Sequence, residues 1–269
     1  MARSDLFGEF HSGRDSSTAL DLPAIRRIGL RDLREALENG ADDFWAMPSH
    51  LVFFALIYPA LGLLLARLAV GYDVLPLIFP MVAGFALVGP LAATGLYALS
   101  ARREQGLEST WKDAWSVLRS PAFPSIAALG LVFMAIFVFW LYVAQSIYIW
   151  NFGYAQPESP VAFVQQVLTT DAGHALILQG CFAGFLFAVF VLAIGIVSFP
   201  MILDRRVGPV TAVLTSIRAT ARNPVMVALW GLIVAVGLVV GSIPALVGLI
   251  VVMPVLGHAS WHLYRRIVQ

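Results

Sequence analysis

Long uncharged apolar stretches alternate with short arginine-bearing segments along most of this chain. An apolar run of about 20 residues spans the hydrocarbon core of a bilayer as a helix. The runs lack the strict alternation of barrel strands, so helices that satisfy their own backbone are the expected form. The first span is predicted over roughly Pro48 to Val70 and the second over Leu75 to Ser100, with Gly71, Tyr72 and Asp73 between them as a tight hairpin. The third covers about Pro124 to Ile147 and the fourth Ala175 to Leu203. From Val225 to Ser260 the chain is apolar for 36 residues. As one helix that is roughly 54 Å, too long for a core of about 30 Å. Gly241, Ser242 and Pro244 place a turn at its middle, which divides it into spans five and six.

The segments between hairpins share a build. Leu30, Leu33, Leu37 and Phe44 fall on one helical face in the first, Leu107, Trp111, Trp115 and Leu118 in the second, and Val210, Leu214, Ile217 and Ala221 in the third. Apolar residues at three- and four-residue steps beside basic ones describe helices lying in a membrane interface. Each segment meets a proline (Pro48, Pro121, Pro224) before the next span, a suitable break between an in-plane and a crossing helix. The even spans also echo one another: Pro90 precedes Arg102 and Arg103, Pro200 precedes Arg205 and Arg206, and Pro254 precedes Arg265 and Arg266. Pro59, Pro76 and Pro80 join these as expected kink sites. The predicted architecture is therefore all-α and polytopic. Six transmembrane helices form three repeats of an interfacial helix plus a membrane hairpin, over about 26–100, 104–203 and 207–269.

Composition removes the soluble alternative. Hydrophobic residues make up 59% of the chain and charged ones 12%, with a mean hydropathy of +0.83; a soluble domain carries about 25% charge. The distribution of cations sets orientation. Arg26, Arg27, Arg31 and Arg34 precede span one, and Arg102, Arg103, Lys112 and Arg119 separate spans two and three. Arg205, Arg206, Arg218 and Arg222 separate four and five, and Arg265 and Arg266 follow six. The intervening loops, including Tyr148 to His174, carry no Lys or Arg. Both termini are thus expected on the cytoplasmic side of a bacterial inner membrane. Residues 1–25 have no apolar signal core and are expected to form a flexible cytoplasmic tail before a membrane domain at 26–269. The outer loop opens with Tyr148, Trp150, Phe152 and Tyr154, an interfacial aromatic anchor, and Ser159 to Thr170 suits a short surface helix.

The stretches SFPMILDRRVGPVTAVLTSIRATARNPV, from Ser198 to Val225, and VGPLAATGLYALSARREQGL, from Val88 to Leu107, resemble an uncharacterised bacterial integral membrane family, the domain of unknown function numbered 2189. The resemblance extends over most of the chain after about residue 25. Some relatives carry a loose cytochrome c oxidase subunit label, which implies association with a respiratory complex. The family supplies no catalytic residues to carry over.

Few residues offer chemistry. Arg67 is the one formal charge inside a predicted span, near the outer end of span one, where it can snorkel or pair with Asp73. His258 and His262 share a face near the inner end of span six, and His50 begins span one at the same depth. Three histidines at one level could ligate a metal or haem, but no carboxylate or cysteine lies near them in sequence, so no metal and no cofactor is expected. The lone Cys181 sits in an apolar run, and no Walker A, G-x-S-x-G or H-E-x-x-H motif occurs. Arg205, Arg206, Arg218 and Arg222 form a patch suited to anionic lipid headgroups. Gly180 and Gly184, and Gly237 and Gly241, allow close helix contact.

These features favour a non-catalytic accessory, structural or assembly subunit of a larger membrane complex. Its expected partners are the bilayer, anionic lipids and other membrane subunits, with no nucleic acid. The alternative is a channel or permease for a neutral or apolar solute, with Thr94, Gln145, Gln179 and Ser198 lining its path.

Overall fold

The computed structural model describes residues 22–47, 75–154, 157–244 and 247–269. The predicted first span, with Arg67 and His50, and almost all of the predicted tail lie outside the described residues.

Within them the secondary structure is helical throughout, apart from one isolated bridge between Ile25 and Val268. Four helical stretches are long and apolar enough to cross a membrane: Leu75–Glu104, Phe123–Phe152, Asp171–Arg205 and Pro224–Ser242. They correspond to predicted spans two to five. The protein is therefore a membrane-spanning helical protein. The helix α1 (Leu30–Ala46) precedes them. Predicted span six is the helix Leu249–Ile267; it is not among the four, since its second half carries two histidines and two arginines.

Span two is built of α2 (Leu75–Phe85), a 3-10 turn at Ala86–Val88, α3 (Gly89–Ala92) and α4 (Thr94–Glu104). The break falls at Pro90, whose ring denies the helix one donor. The Thr94 hydroxyl donates to the Leu91 carbonyl at 2.6 Å. Span three is α5 (Phe123–Phe152), and a short helix α6 (Pro160–Thr169) follows, N-capped by the Ser159 hydroxyl on Ala162 N. Span four is α7 (Asp171–Gly195), which stops and restarts as α8 (Ser198–Arg205). Here Pro200 has the same effect, and the repair comes partly from outside the span. The inner helix α9 (Pro209–Arg222) sends Ser216 Oγ to the Ala193 carbonyl at 2.8 Å, and the same oxygen accepts from Val197 N at 3.3 Å. An unsatisfied backbone group in lipid costs several kcal/mol. These hydroxyls are what allow the breaks. Pro254, by contrast, sits inside an unbroken α11 (Leu249–Ile267), so the three prolines do not act alike.

Span five is α10 (Pro224–Ser242), and it packs on α11 through Gly237, where an added Cβ would lie 3.3 Å from Val252. Phe133 of α5 meets Phe199 of α8 edge to face at 4.9 Å. Trp140 Nε1 donates to the Pro80 carbonyl at 2.8 Å, tying α5 to α2. At the end of α5 next to α6, Trp150 and Tyr154 are exposed, while Tyr148 turns inward against Phe163 of α6.

Two inner segments depart from the sequence expectation. Residues Trp111–Arg119 form a 3-10 helix rather than an α-helix. Its period of three sets Ala114 and Val117 against the bundle, Ala114 fitting beside Gly95, and turns Lys112, Trp115 and Leu118 outward. The helix α1 does not simply lie on an interface. Leu33, Ala36, Gly40, Asp43 and Phe44 are buried, with the helix laid along α11. Gly40 makes this contact possible: a Cβ there would stand 2.6 Å from Ala259 N and 2.7 Å from its Cβ. Residues 24–28 already belong to the folded unit. Ile25 and Ile28 are buried, Arg26 N donates to Ile267 O at 2.8 Å, and Ile28 N donates to Asn223 Oδ1 at 2.9 Å.

Gly40→Ala tests the crossing. Alanine gains about 1 kcal/mol of helix propensity over glycine, but here it must displace backbone. The net effect expected is a loss of about 1–3 kcal/mol, read as a lower thermal unfolding midpoint in detergent. Gly180→Ala, at a site with nothing within 4 Å, is expected to be neutral or stabilising.

Candidate functional site

The close approach of α1 to α11 carries a carboxylate in between α4 and α11. Asp43 is only 4% exposed. It follows Leu33, Ala36 and Gly40 at steps of three and four on the buried face of α1, so it occupies a core position. Its oxygens meet groups from two other helices. Ser100 Oγ of α4 donates to Asp43 Oδ2 at 2.5 Å, and His262 Nε2 of α11 lies 2.9 Å from the same oxygen. Arg103 Nη1 donates to Oδ1 at 2.6 Å. His258 Nδ1 is 2.8 Å from Ser100 Oγ and 3.9 Å from Asp43 Oδ2.

The proton arrangement follows from donor and acceptor counting. Burial alone pushes the Asp43 carboxyl upward. The hydrogen bonds from His262 and Ser100 and the favourable electrostatics of the two nearby imidazoles outweigh it, and the carboxyl sits below its usual range. It is thus ionised and accepts only. The single Ser100 proton goes to Asp43, so His258 carries its proton on Nδ1 and donates it to Ser100. His262, facing an anionic oxygen, carries its proton on Nε2. The result is a directed chain, His258 to Ser100 to Asp43, with His262 and Arg103 converging on the same carboxylate.

Although serine, histidine and aspartate meet here, the order is not that of a nucleophile relay. A catalytic serine passes its proton to histidine, with the acid behind the histidine. Here the serine gives its proton to the acid, and both Ser100 and His258 are fully buried. The geometry ties helices. Hydrogen bonds to a charged group are each worth about 1.5–3 kcal/mol.

A second set of ties surrounds the first. Glu104 of α4 accepts from Trp261 Nε1 at 3.1 Å and from Arg265 Nε at 3.1 Å. Asp204 of α8 accepts from the Tyr264 hydroxyl at 2.6 Å and from Arg265 Nη1 at 3.3 Å. Arg266 pairs with Glu35 at 2.6 Å and with Asp32 of α1, and Asp32 also holds Arg26 and caps Gly29 N. The inner half of α11 is thus bonded to α1, α4 and α8 at once.

Of the residues singled out in the sequence, the structure brings His258 and His262 together and supplies the carboxylate that their sequence surroundings lack. Among the described residues, no group of three His, Cys, Asp or Glu is arranged to hold a metal ion. Arg205, Arg206, Arg218 and Arg222 are all exposed at the same end of the bundle. The Thr94 hydroxyl bonds a carbonyl of its own span, as Ser198 does with Ile194 O, and Gln179 accepts from Asn151. A hollow of about 430 Å³ lies between α5 and α6, lined by Tyr148, Phe152, Glu158, Phe163 and Gln166.

Asp43→Asn removes the charge on which three side chains converge. We expect a loss of about 2–3 kcal/mol near neutral pH, measured by thermal unfolding in micelles. The folded carboxyl is depressed, so its contribution is present above the unfolded value of about 3.9 and is lost as pH falls through the folded value. The gap between wild type and variant should close below about pH 4. A gap that survives acid would contradict the assignment.

No curated protein and no solved structure matches the chain. A family model matches residues 78–204, from span two to the end of α8. This is a shorter stretch than the resemblance in sequence implies, and it leaves α1, α9 and α11 outside. Ser100, Arg103, Glu104 and Asp204 fall within it, whereas Asp43, His258 and His262 do not. Over those residues the chain matches the family described as predicted integral membrane protein (DUF2189).

Proposed function

We propose that this protein is a non-catalytic accessory, structural or assembly subunit of a larger bacterial inner-membrane complex. In this reading it has six spans in three repeats, and both termini are cytoplasmic. The observation that carries the reading is the use made of Asp43, Ser100, His258 and His262. Among the described residues, the constellation with the elements of acid–base chemistry is sealed at its serine and first histidine and consumed in holding three helices together. Support for the topology comes from the cations. The ends of α4 and α8, the start of α1 and the end of α11 are bonded together at one end of the bundle, and among the described residues each arginine-bearing segment adjoins one of them. Lys and Arg gathered at one end mark the cytoplasmic face.

A lateral partner has apolar surface to meet. Val138, Phe139 and Tyr142 of α5 and Phe182, Phe185 and Phe190 of α7 are exposed, a surface for lipid or for another subunit's helices. Purification at native expression levels in mild detergent, with mass spectrometry of co-migrating proteins, tests the role. The expected result is recovery with defined membrane partners. A chain that migrates alone at its own mass would contradict it.

A further inference from the structure

The arginines of the inner end divide into two groups. Arg26, Arg31, Arg34, Arg102, Arg103, Arg265 and Arg266 each have a carboxylate partner. Arg205 lies against the Tyr264 hydroxyl. Arg27 and Arg119 are exposed without an ion pair among the described residues, and so are the three around α9: Arg206, Arg218 and Arg222. Their sequence setting offers none: Asp204 is the last acidic residue of the chain, and it is occupied by Tyr264 and Arg265.

These three cations frame the helix α9, which has two different sides. Ala212, Thr215, Ser216 and Ala219 are buried against the bundle, and Ser216 is bonded to the broken span four. Val210, Leu214 and Ile217 point outward and are exposed. At 100° per residue, Arg218 and Arg222 lie about 80° and 120° round the helix from Val210, between the outward apolar side and the bundle. An apolar side with cations along its edge is the arrangement of a helix lying at headgroup depth. Arg206 stands just before α9, as the left-handed C-cap of α8 with φ 53° and ψ 36°. That position favours glycine, and a residue with a side chain pays roughly 1–2 kcal/mol to adopt it. The chain places a long cation there instead.

We propose that α9 and the Arg206 turn form a binding site for anionic phospholipid. Lipid phosphates are held by Arg206 at the first end of α9 and by Arg218 and Arg222 towards its other end, and the acyl chains cover Val210, Leu214 and Ile217. Guanidinium groups suit phosphate oxygens because each presents paired donors in a plane. The site is independent of any accessory role, since it requires only a leaflet containing phosphatidylglycerol or a lipid of similar charge.

The test uses the full chain reconstituted in nanodiscs of mixed phosphatidylcholine and phosphatidylglycerol, then extracted in mild detergent, with retained lipid measured by mass spectrometry. Wild type should retain phosphatidylglycerol in preference to phosphatidylcholine. The triple variant Arg206→Gln, Arg218→Gln, Arg222→Gln should lose that preference, by roughly fivefold per arginine at most. The variant Arg31→Gln, Arg34→Gln, which removes exposed cations already paired within α1, should keep it. Replacing the three by lysine preserves charge and checks that the glutamine variant fails through binding rather than folding; it should retain most of the preference. The proposal is overturned if the glutamine triple variant retains lipid as wild type does, or if the Arg31 and Arg34 variant loses it equally. Displacement of the lipid by inorganic phosphate at matched ionic strength would reassign the site to a soluble anion and also overturn it.

Discussion

The polar end of the helix bundle depends on one close contact between helices distant in sequence. Gly40 lets α1 approach α11 until backbone meets backbone, and that approach carries Asp43 to the level of His258 and His262. Lipid tails give helices in a membrane little hydrophobic reason to associate, so close packing at small residues and hydrogen bonds between helices hold them. Both operate at this crossing. The glycine sets the distance, and the carboxylate converts the distance into bonds with Ser100, His262 and Arg103. Without the first the second could not form. A buried carboxylate without its partners would be costly rather than neutral.

The same logic governs the proline breaks in spans two and four. Each break frees backbone groups where water is scarce. In span four the Ser216 and Ser198 hydroxyls bond the carbonyls beside the break, and in span two the Thr94 hydroxyl bonds the Leu91 carbonyl just past it. Because Ser216 belongs to α9, the repair of span four also fixes an inner helix to the bundle. Covalent interruption and tertiary packing are coupled there. This explains why α9 is held firmly on one side while Val210, Leu214 and Ile217 on its other side stay exposed.

Much of this was legible in the sequence, and the boundary has a physical cause. Spans two to five were readable because a run of apolar residues is a local property, and so was the surface helix at Pro160–Thr169, signalled by Ser159 before Pro160. The breaks at Pro90 and Pro200 follow from the missing donor, but the intact helix at Pro254 does not, since tolerance depends on neighbours. The 3-10 form of Trp111–Arg119 replaced an α-helical face because Ala114 must fit against Gly95. Asp43 was missed altogether. It is separated from Ser100 and His258 by long stretches of chain, and no spacing rule joins them. The available signal was its place in the series Leu33, Ala36, Gly40, Asp43, a charge on an otherwise apolar or small-residue face.

Residues 24–26 and 267–269 meet, and so must lie on one side of the membrane. Arg26 N bonds Ile267 O and Gln269 N bonds Ala24 O, so Ile25 and Val268 face each other between those bonds, with α-carbons about 4.5 Å apart, within reach of a disulfide. The most direct measurement is oxidative cross-linking in native membranes of a chain carrying Ile25→Cys and Val268→Cys, with Cys181→Ser. Rapid formation of an intrachain disulfide, reversible by reductant, is the predicted result. Two thiols that remain separate under oxidation, or that react with impermeant reagents from opposite faces of the membrane, would contradict it.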